Sequence, residues 1–163
     1  MAVFETSSKI PAPAEDLFRF HGNPHNLRAV SPPGMRIIEI RAEEEPRIGE
    51  DFHVAVALGP LRLRWAGQWV EIEYPRLLVD AGMKCPFALW RHEHRFEPTA
   101  DGGSVLTDRV EFRMPWHSGG PIADWFIKIF VFPVVFAGRH AATLAWFTGP
   151  GSSQNPLAGP PRP

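Results

Sequence analysis

From Met35 to Met114 the chain is written in short strands, six runs of β-branched, aromatic and alternating residues with tight turns between several of them. No other feature constrains the fold as strongly, because consecutive strands joined by short turns lie antiparallel and side by side. The runs are Met35 to Ile40, Asp51 to Leu58, Leu61 to Tyr74, Leu77 to Met83, Ala88 to Glu97 and Ser104 to Met114. Gly59-Pro60, Pro75-Arg76 and Asp101-Gly102-Gly103 reverse the chain between them. Leu61 to Tyr74 is long enough to hold a bulge. An opening strand, Val3 to Ile10, makes seven. Seven antiparallel strands twist and curl, leaving one concave face to be covered.

Pro11 and Pro13 stop the opening strand, and Ala14 to Phe20 reads as a short helix, acidic in its first turn as the helix dipole favours. Asn23-Pro24 opens a second helical piece, His25 to Val30, which ends at Ser31-Pro32-Pro33-Gly34. The cover for the sheet is a helix from about Ile122 to Phe147. Ile122, Phe126, Ile129, Pro133, Phe136, His140, Thr143 and Phe147 recur at helical spacing and define its inward face. Its other faces are apolar too, so burial on most sides is expected, with a kink at Pro133. The expected class is α+β, a seven-stranded curved antiparallel sheet wrapped around a long C-terminal helix. Residues 1–148 form one domain, and 149–163, rich in Gly, Pro and Ser, are expected to be disordered.

Length and charge narrow the function. A chain of 163 residues holds one domain with a real core. A formal net charge of −1 argues against a nucleic-acid binder, and Glu43-Glu44-Glu45 reads as a solvated loop. The single cysteine, Cys85, forms no disulfide within the chain and reads as structural. No secretory pattern opens the chain, and the longest uninterrupted apolar stretch, Ile129 to Gly138, is about half of a membrane span. A cytoplasmic location is expected. There is no Gly-rich phosphate loop and no Cys–His pair near a helix start.

The strand alternation singles out one polar group. In Trp90-Arg91-His92-Glu93-His94-Arg95-Phe96 the aromatic and imidazole side chains share one face and the charges the other. On the following strand Leu106, Asp108, Val110, Phe112 and Met114 share a face. His92, His94 and Asp108 therefore face the core together. They are the candidate catalytic residues, compatible with an acid/base pair, a polar anchor for a ligand, a metal site or a buried hydrogen-bonded network. Zinc needs three or four ligands, and no third histidine is convincingly placed; His53, His117 and His140 enter only by elimination. No metal or cofactor is expected. Arg139 suits either a ligand carboxylate or, more simply, a salt bridge to a nearby acid.

Several stretches resemble the START-like, SRPBCC superfamily of polyketide cyclase/dehydrase and lipid-transport proteins. They are Ile10-Pro11-Ala12-Pro13-Ala14-Glu15-Asp16-Leu17-Phe18, Asn23-Pro24-His25-Asn26-Leu27 with Ser31-Pro32-Pro33, and Gly49. Trp90-x-His92-x-His94-x-Phe96, Gly103 with Thr107-Asp108 and Val110, and Phe136 with Arg139 complete the set, which is closest to the ligand-binding SRPBCC branch. The resemblance implies a helix-grip fold with a cavity between sheet and long helix, and members that bind or transform hydrophobic molecules. The expected function is binding or carriage of a hydrophobic small molecule of lipid, polyketide or aromatic type. Trp65, Trp69, Trp90, His92, His94, Phe96, Asp108, Phe112, Trp125, Phe126, Ile129, Pro133 and Phe136 are the expected lining. The alternatives are a cyclase/aromatase-like enzyme using His92, His94 and Asp108, and a protein that meets a membrane surface or a second copy through its apolar helix.

Overall fold

The structure is a computed structural model that describes residues 1–32 and 34–149; the tail expected to be disordered lies, from Pro150 on, outside the described residues. Strands β1 (Ala2–Ile10), β2 (Met35–Arg41), β3 (Asp51–Leu58), β4 (Leu61–Glu73), β5 (Leu77–Lys84), β6 (Leu89–Pro98) and β7 (Ser104–Arg113) form one antiparallel sheet in the order β1-β7-β6-β5-β4-β3-β2. All the sequence-derived strands are present, with ends moved by one residue or none. The long β4 does carry irregularities, at Ala66/Gly67 and Trp69/Glu71. Helix α1 (Ala14–Gly22) and a 3-10 turn (Pro24–Arg28) carry the chain from one edge strand to the other.

One face of the sheet is wet and charged. Arg91 pairs with Glu71 at 2.8 Å and with Glu93, Arg95 reaches Glu93 at 2.5 Å, and Arg109 reaches Glu111 at 2.7 Å. The other face is the core, in two clusters. Ile10, Leu17, Phe18, Trp69, Leu78, Phe96 and Leu106 pack beneath α1, while Val110, Phe112, Phe132 and Phe136 pack beneath the C-terminal helix.

That helix differs from its sequence-derived form in phase. It runs from Gly120 to Thr148 as α2 (Gly120–Phe126), a π-helical turn (Ile127–Val131) and α3 (Phe132–Thr148). The Phe132 N–H bonds to the Ile127 carbonyl, five residues back, which is the signature of the π turn. The extra residue lies directly ahead of Pro133, whose ring would otherwise clash with the turn behind it. It also rotates the helix face. The buried side chains are Asp124, Phe132, Phe136, His140 and Thr143, so the inward face expected from spacing holds from Phe136 onward and fails before it. Ile122, Trp125, Phe126, Ile129 and Pro133, expected beneath the helix, lie exposed on its outer side, Ile122 at 79 %. Counting only uninterrupted apolar residues also understated the length: these 29 residues are long and apolar enough to cross a membrane, by length and composition. Their inner side is nevertheless fastened to the sheet, with Asp124 Oδ1 accepting the Met114 N–H at 2.6 Å.

Removing a buried ring costs both transfer energy and a cavity. Phe136→Ala, at 2 % exposure, is expected to lose about 3–5 kcal/mol in urea unfolding. Val134→Ala, two residues away at 71 % exposure, is expected to stay within about 0.5 kcal/mol. Equal losses would mean that the helix phase is wrong.

Candidate ligand site

Strand register builds the site. Asp80 on β5 stands opposite His92 on β6, and Asp108 on β7 stands opposite His94 on β6. Two Asp–His pairs thus lie side by side on the inner face of three adjacent strands. The His92 ring bridges the carboxylates: Nε2 donates to Asp108 Oδ1 at 3.1 Å, and Nδ1 is 3.4 Å from Asp80 Oδ2. Trp90 donates its indole N–H to Asp80 Oδ1 at 3.0 Å. From α3, His140 donates Nε2–H to Asp108 Oδ2 at 2.8 Å, while its Nδ1 is 2.7 Å from the Ser8 hydroxyl on β1. His94 Nδ1 lies 2.5 Å from Asp108 Oδ1, in direct contact with that carboxylate. His21, at the end of α1, closes the group with its ring centroid 5.1 Å from that of His94.

The environment drives these groups apart in charge. Burial alone would raise the Asp108 carboxyl, but the adjacent His94 and the hydrogen bonds from His140 and His92 hold it well below the usual carboxylate range. Burial pulls His92 down, but the contacts with Asp108 and Asp80 together outweigh it and raise its pKa. His94 is lowered by burial and then by the charge on His92. His21 is lowered well below its ordinary value by burial and then by His94. The surroundings thus favour the charged form of His92, and the neutral form of His94 and His21 beside it. The His92 and His94 ring centroids are 4.0 Å apart.

His92, His94 and Asp108, grouped from sequence, do come together. Asp80, Ser8 and His21 were missed, and His140, entertained only by elimination, proves central. Asp80 sits in Leu78-Val79-Asp80-Ala81, where both faces of the strand look apolar, so nothing in the pattern showed which way it points. The donor atoms of Asp80, His92 and His94 lie within 4.8 Å of one another, the group best placed to receive a metal ion. A tetrahedral zinc shell needs donor–donor spacings of about 3.4 Å, so these side chains would have to close in and give up the bonds to Trp90 and Asp108. Arg139 makes no salt bridge among the described residues; its guanidinium lies over the Phe136 ring, 5.6 Å from the centroid, and its Nε is buried without a partner.

The rest of the expected lining separates into three places. Trp65 and Trp90, both half-buried, pack edge-to-face at 4.6 Å, and Phe87 joins them at 5.7 and 5.0 Å. Trp90 then meets His92 at 5.7 Å and Phe132 at 6.0 Å, so this aromatic wall leads from the sheet beyond the helix to the polar centre. Gly82 makes room for it, since a Cβ there would meet Trp90 Cβ at 2.9 Å and Cys85 Sγ at 2.5 Å. Trp69 and Phe96 belong to the core under α1 and lie away from the wall. Trp125, Phe126, Ile129 and Pro133 face outward and line nothing beneath the helix. Directly under α3 the space is filled, Phe132 packing on Phe112 at 4.7 Å and Phe136 on His92 at 5.4 Å. Two surface recesses, of about 380 and 280 Å³, open elsewhere, beside Arg76 and Arg95 and beside Lys9 and Asp101.

A long C-terminal helix across a seven-stranded antiparallel sheet defines the helix-grip architecture of the SRPBCC proteins. Residues 1–144 match the family model described as polyketide cyclase/dehydrase and lipid transport, and the chain belongs to that family. Solved structures agree on the fold. A Rhodobacter sphaeroides protein is 16 % identical with a TM-score of 0.72, covering 89 % of this chain and 91 % of its own. A Nitrosomonas europaea protein is 13 % identical with a TM-score of 0.69, covering 89 % and 93 %. Norcoclaurine synthase of Thalictrum flavum, solved with a transition-state analogue, is 17 % identical with a TM-score of 0.58, covering 86 % and 87 %. None of the curated proteins compared with the chain matches it.

The shifted histidines make stability depend on pH. His21 and His94, lowered in the folded state, take up protons more readily when unfolded, so their contribution is complete above about pH 6.5 and falls away below it. His92, raised, contributes in the opposite sense, with stability present below about pH 6.5 and lost as pH rises through its folded value. Two lowered groups against one raised group give a net loss on acidification. The Tm is expected to fall between pH 7 and pH 5, and His21→Gln is expected to flatten that slope; a Tm rising toward pH 5 would contradict the assignment.

Proposed function

We propose that the protein binds a hydrophobic small molecule of aromatic or polyketide type, its flat apolar body against Trp65, Phe87 and Trp90 and a polar oxygen directed at His92. The observation that carries this reading is the continuity of a half-buried aromatic wall with a buried cluster of imidazoles and carboxylates. Apolar pockets with a few convergent polar groups are the ordinary form of a small-molecule site. Membership of a family described by polyketide and lipid chemistry supports the same class of ligand. Organic extraction of gently purified protein, read by mass spectrometry, is expected to release an apolar compound. A hydroxylated anthraquinone is expected to quench tryptophan fluorescence, with Trp65→Ala weakening binding about tenfold or more and the fold unchanged by circular dichroism. Absence of both an extracted compound and quenching would overturn the reading.

A second reading rests on the two adjacent imidazoles with pKa values pushed in opposite directions. His94, neutral, is suited to take a proton from carbon next to a carbonyl, and His92, charged, to hydrogen-bond the oxygen on which negative charge develops. That is the chemistry of a cyclase or dehydrase acting on the same ligand.

The outer side of the C-terminal helix supports a partner, and we assign it to a second copy of the chain. Its first half exposes Ile122, Trp125, Phe126, Ile129 and Phe130, and its second half exposes Val134, Leu144 and Trp146 together with Ala137, Ala141 and Ala145. An antiparallel pairing about a twofold axis near Val134 lays this apolar face on the same face of a second copy. A bilayer surface would favour flanking basic residues, and Lys128 is the one exposed charge between Gly120 and Thr148. Sedimentation velocity is expected to show a dimer at micromolar concentration. Val134→Glu with Ala141→Glu is expected to give a monomer with an unchanged circular dichroism spectrum. A wild-type monomer, or one that floats with phosphatidylglycerol vesicles, would overturn the assignment.

A further inference from the structure

Acidic and basic residues nearly balance over the whole chain, 18 against 17, but they are not evenly spread. No Asp or Glu occurs between Phe52 and Val70, and Asp80 and Glu93 bound a second stretch without one. The sheet brings the cations of these stretches together. Arg36 on β2 stands opposite Ala57 on β3, which stands opposite Arg62 on β4. Arg64 shares the face of Arg62, and Lys84 on β5 stands opposite Ala66, two residues further along that face. Register partners share a face, so Arg36, Arg62, Arg64 and Lys84 form one basic surface with alanines between them. All four are exposed, and none makes an ion pair among the described residues. The nearest acid on this surface, Glu39, is taken up by Arg41 at 2.6 Å.

This surface is one side of an arm. Strand β5 pairs with β4 only from Ala66 onward, so Leu61 to Trp65 project past it by about 17 Å, held by β3 and, through it, β2. The other side of the arm is apolar. Leu61, Leu63 and Trp65 alternate with Arg62 and Arg64, and Trp65 continues into the aromatic wall. At the tip, Leu58 and Leu61 flank the Gly59-Pro60 turn and are 38 % and 54 % exposed.

The tip and the cations together select the partner. An acidic protein would match the charges and leave the two leucines without a counterpart. Single-stranded nucleic acid needs aromatic rings beside the cations, and Trp65 lies on the opposite side of the strand. A bilayer containing anionic lipid matches both parts. Apolar side chains enter the boundary between headgroups and acyl chains by about 5–10 Å, while cations stay level with the negative charge. Arg62 and Arg64 stand one and three residues behind Leu61, roughly 3 and 10 Å along the strand, which is that depth.

We propose that the β3–β4 arm docks the protein on an anionic bilayer, with Leu58 and Leu61 in the interface and Arg36, Arg62, Arg64 and Lys84 facing the lipid charge. Docking of this kind sets Trp65, and with it the proposed ligand wall, beside the phase in which a hydrophobic molecule dissolves. The contact itself does not depend on the ligand reading.

Flotation with vesicles of phosphatidylcholine, alone or mixed with phosphatidylserine, tests the arm. The wild-type protein is expected to float with the mixed vesicles only, and to be released as salt rises from about 0.1 to 1 M and screening shortens from about 10 to 3 Å. Arg62→Gln with Arg64→Gln is expected to weaken binding about tenfold or more, and Arg62→Glu with Arg64→Glu further. Leu58→Ser with Leu61→Ser is expected to weaken it about tenfold, each variant keeping the wild-type circular dichroism spectrum. The arm shares no residue with the helix face assigned to the dimer. The dimer is therefore the form expected to float, and Val134→Glu with Ala141→Glu is expected to float too. Wild-type protein that ignores phosphatidylserine, or binds phosphatidylcholine equally well, would overturn the proposal. Binding that survives both arginine variants, or vanishes in the helix variant, would place the contact elsewhere and overturn the assignment to the arm. Binding indifferent to the leucine pair would rest on charge alone, as an acidic protein partner would use, and would overturn the bilayer. Extraction of an apolar compound judges the ligand reading separately.

Discussion

The buried carboxylate of Asp108 is the constraint on which the rest of this structure depends. It sits in the middle of β7 with no exposure to water, and an ion so placed is tolerated only when charged hydrogen-bond donors surround it. Here the donors arrive from two elements, His92 on β6 and His140 on α3, with His94 alongside. The register of β6 on β7 and the docking of the C-terminal helix are thereby coupled through one side chain. The helix is otherwise held by Phe132 and Phe136 on the sheet and by Asp124 on the Met114 N–H, while most of its large apolar side chains point outward. Sliding α3 by a single turn, about 5.4 Å, would keep much of its greasy contact and leave Asp108 short of a partner. The polar contact therefore specifies an alignment that hydrophobic burial alone would leave loose.

The sheet was legible because strands alternate. Period-two patterning assigned His92, His94 and Asp108 to one face without any knowledge of the third dimension, and tight turns ordered the strands. The resemblance to SRPBCC proteins pointed to the same architecture, and the match over residues 1–144 agrees with it. What failed to show was whatever depends on departures from regularity. Asp80 lies between Val79 and Ala81 in a strand whose Leu78 and Val79 are both fully buried, and with no wet side there is no alternation to read. His21 follows Phe20 at the end of a short helix, where a basic residue is already accounted for by the helix dipole. The π turn ahead of Pro133 has no reliable sequence mark, and by inserting one residue it moved Ile122, Phe126 and Ile129 from the expected inner face to the outer one. His140, beyond the turn, kept its expected face, but its partner is set by the docking of the helix, which sequence does not contain.

Two apolar exposures remain, and they differ in kind. The wall of Trp65, Phe87 and Trp90 is small, half-buried and continuous with buried polar groups. The outer helix face is long, carries Lys128 as its exposed charge, and offers nothing for a small polar molecule to hydrogen-bond. Small ligands gain orientation from a few polar contacts inside an apolar site, whereas protein partners gain affinity from extended complementary area. The same sequence bias, an excess of Phe and Trp, therefore leaves rings on two separate surfaces, and the π turn sets the face of the second. Without the added residue the bulky side chains ahead of Pro133 would turn inward, onto the space now filled by Phe112, Phe132 and Phe136. The turn thus keeps the core beneath α3 from overfilling while directing the surplus rings outward, where only another surface can cover them.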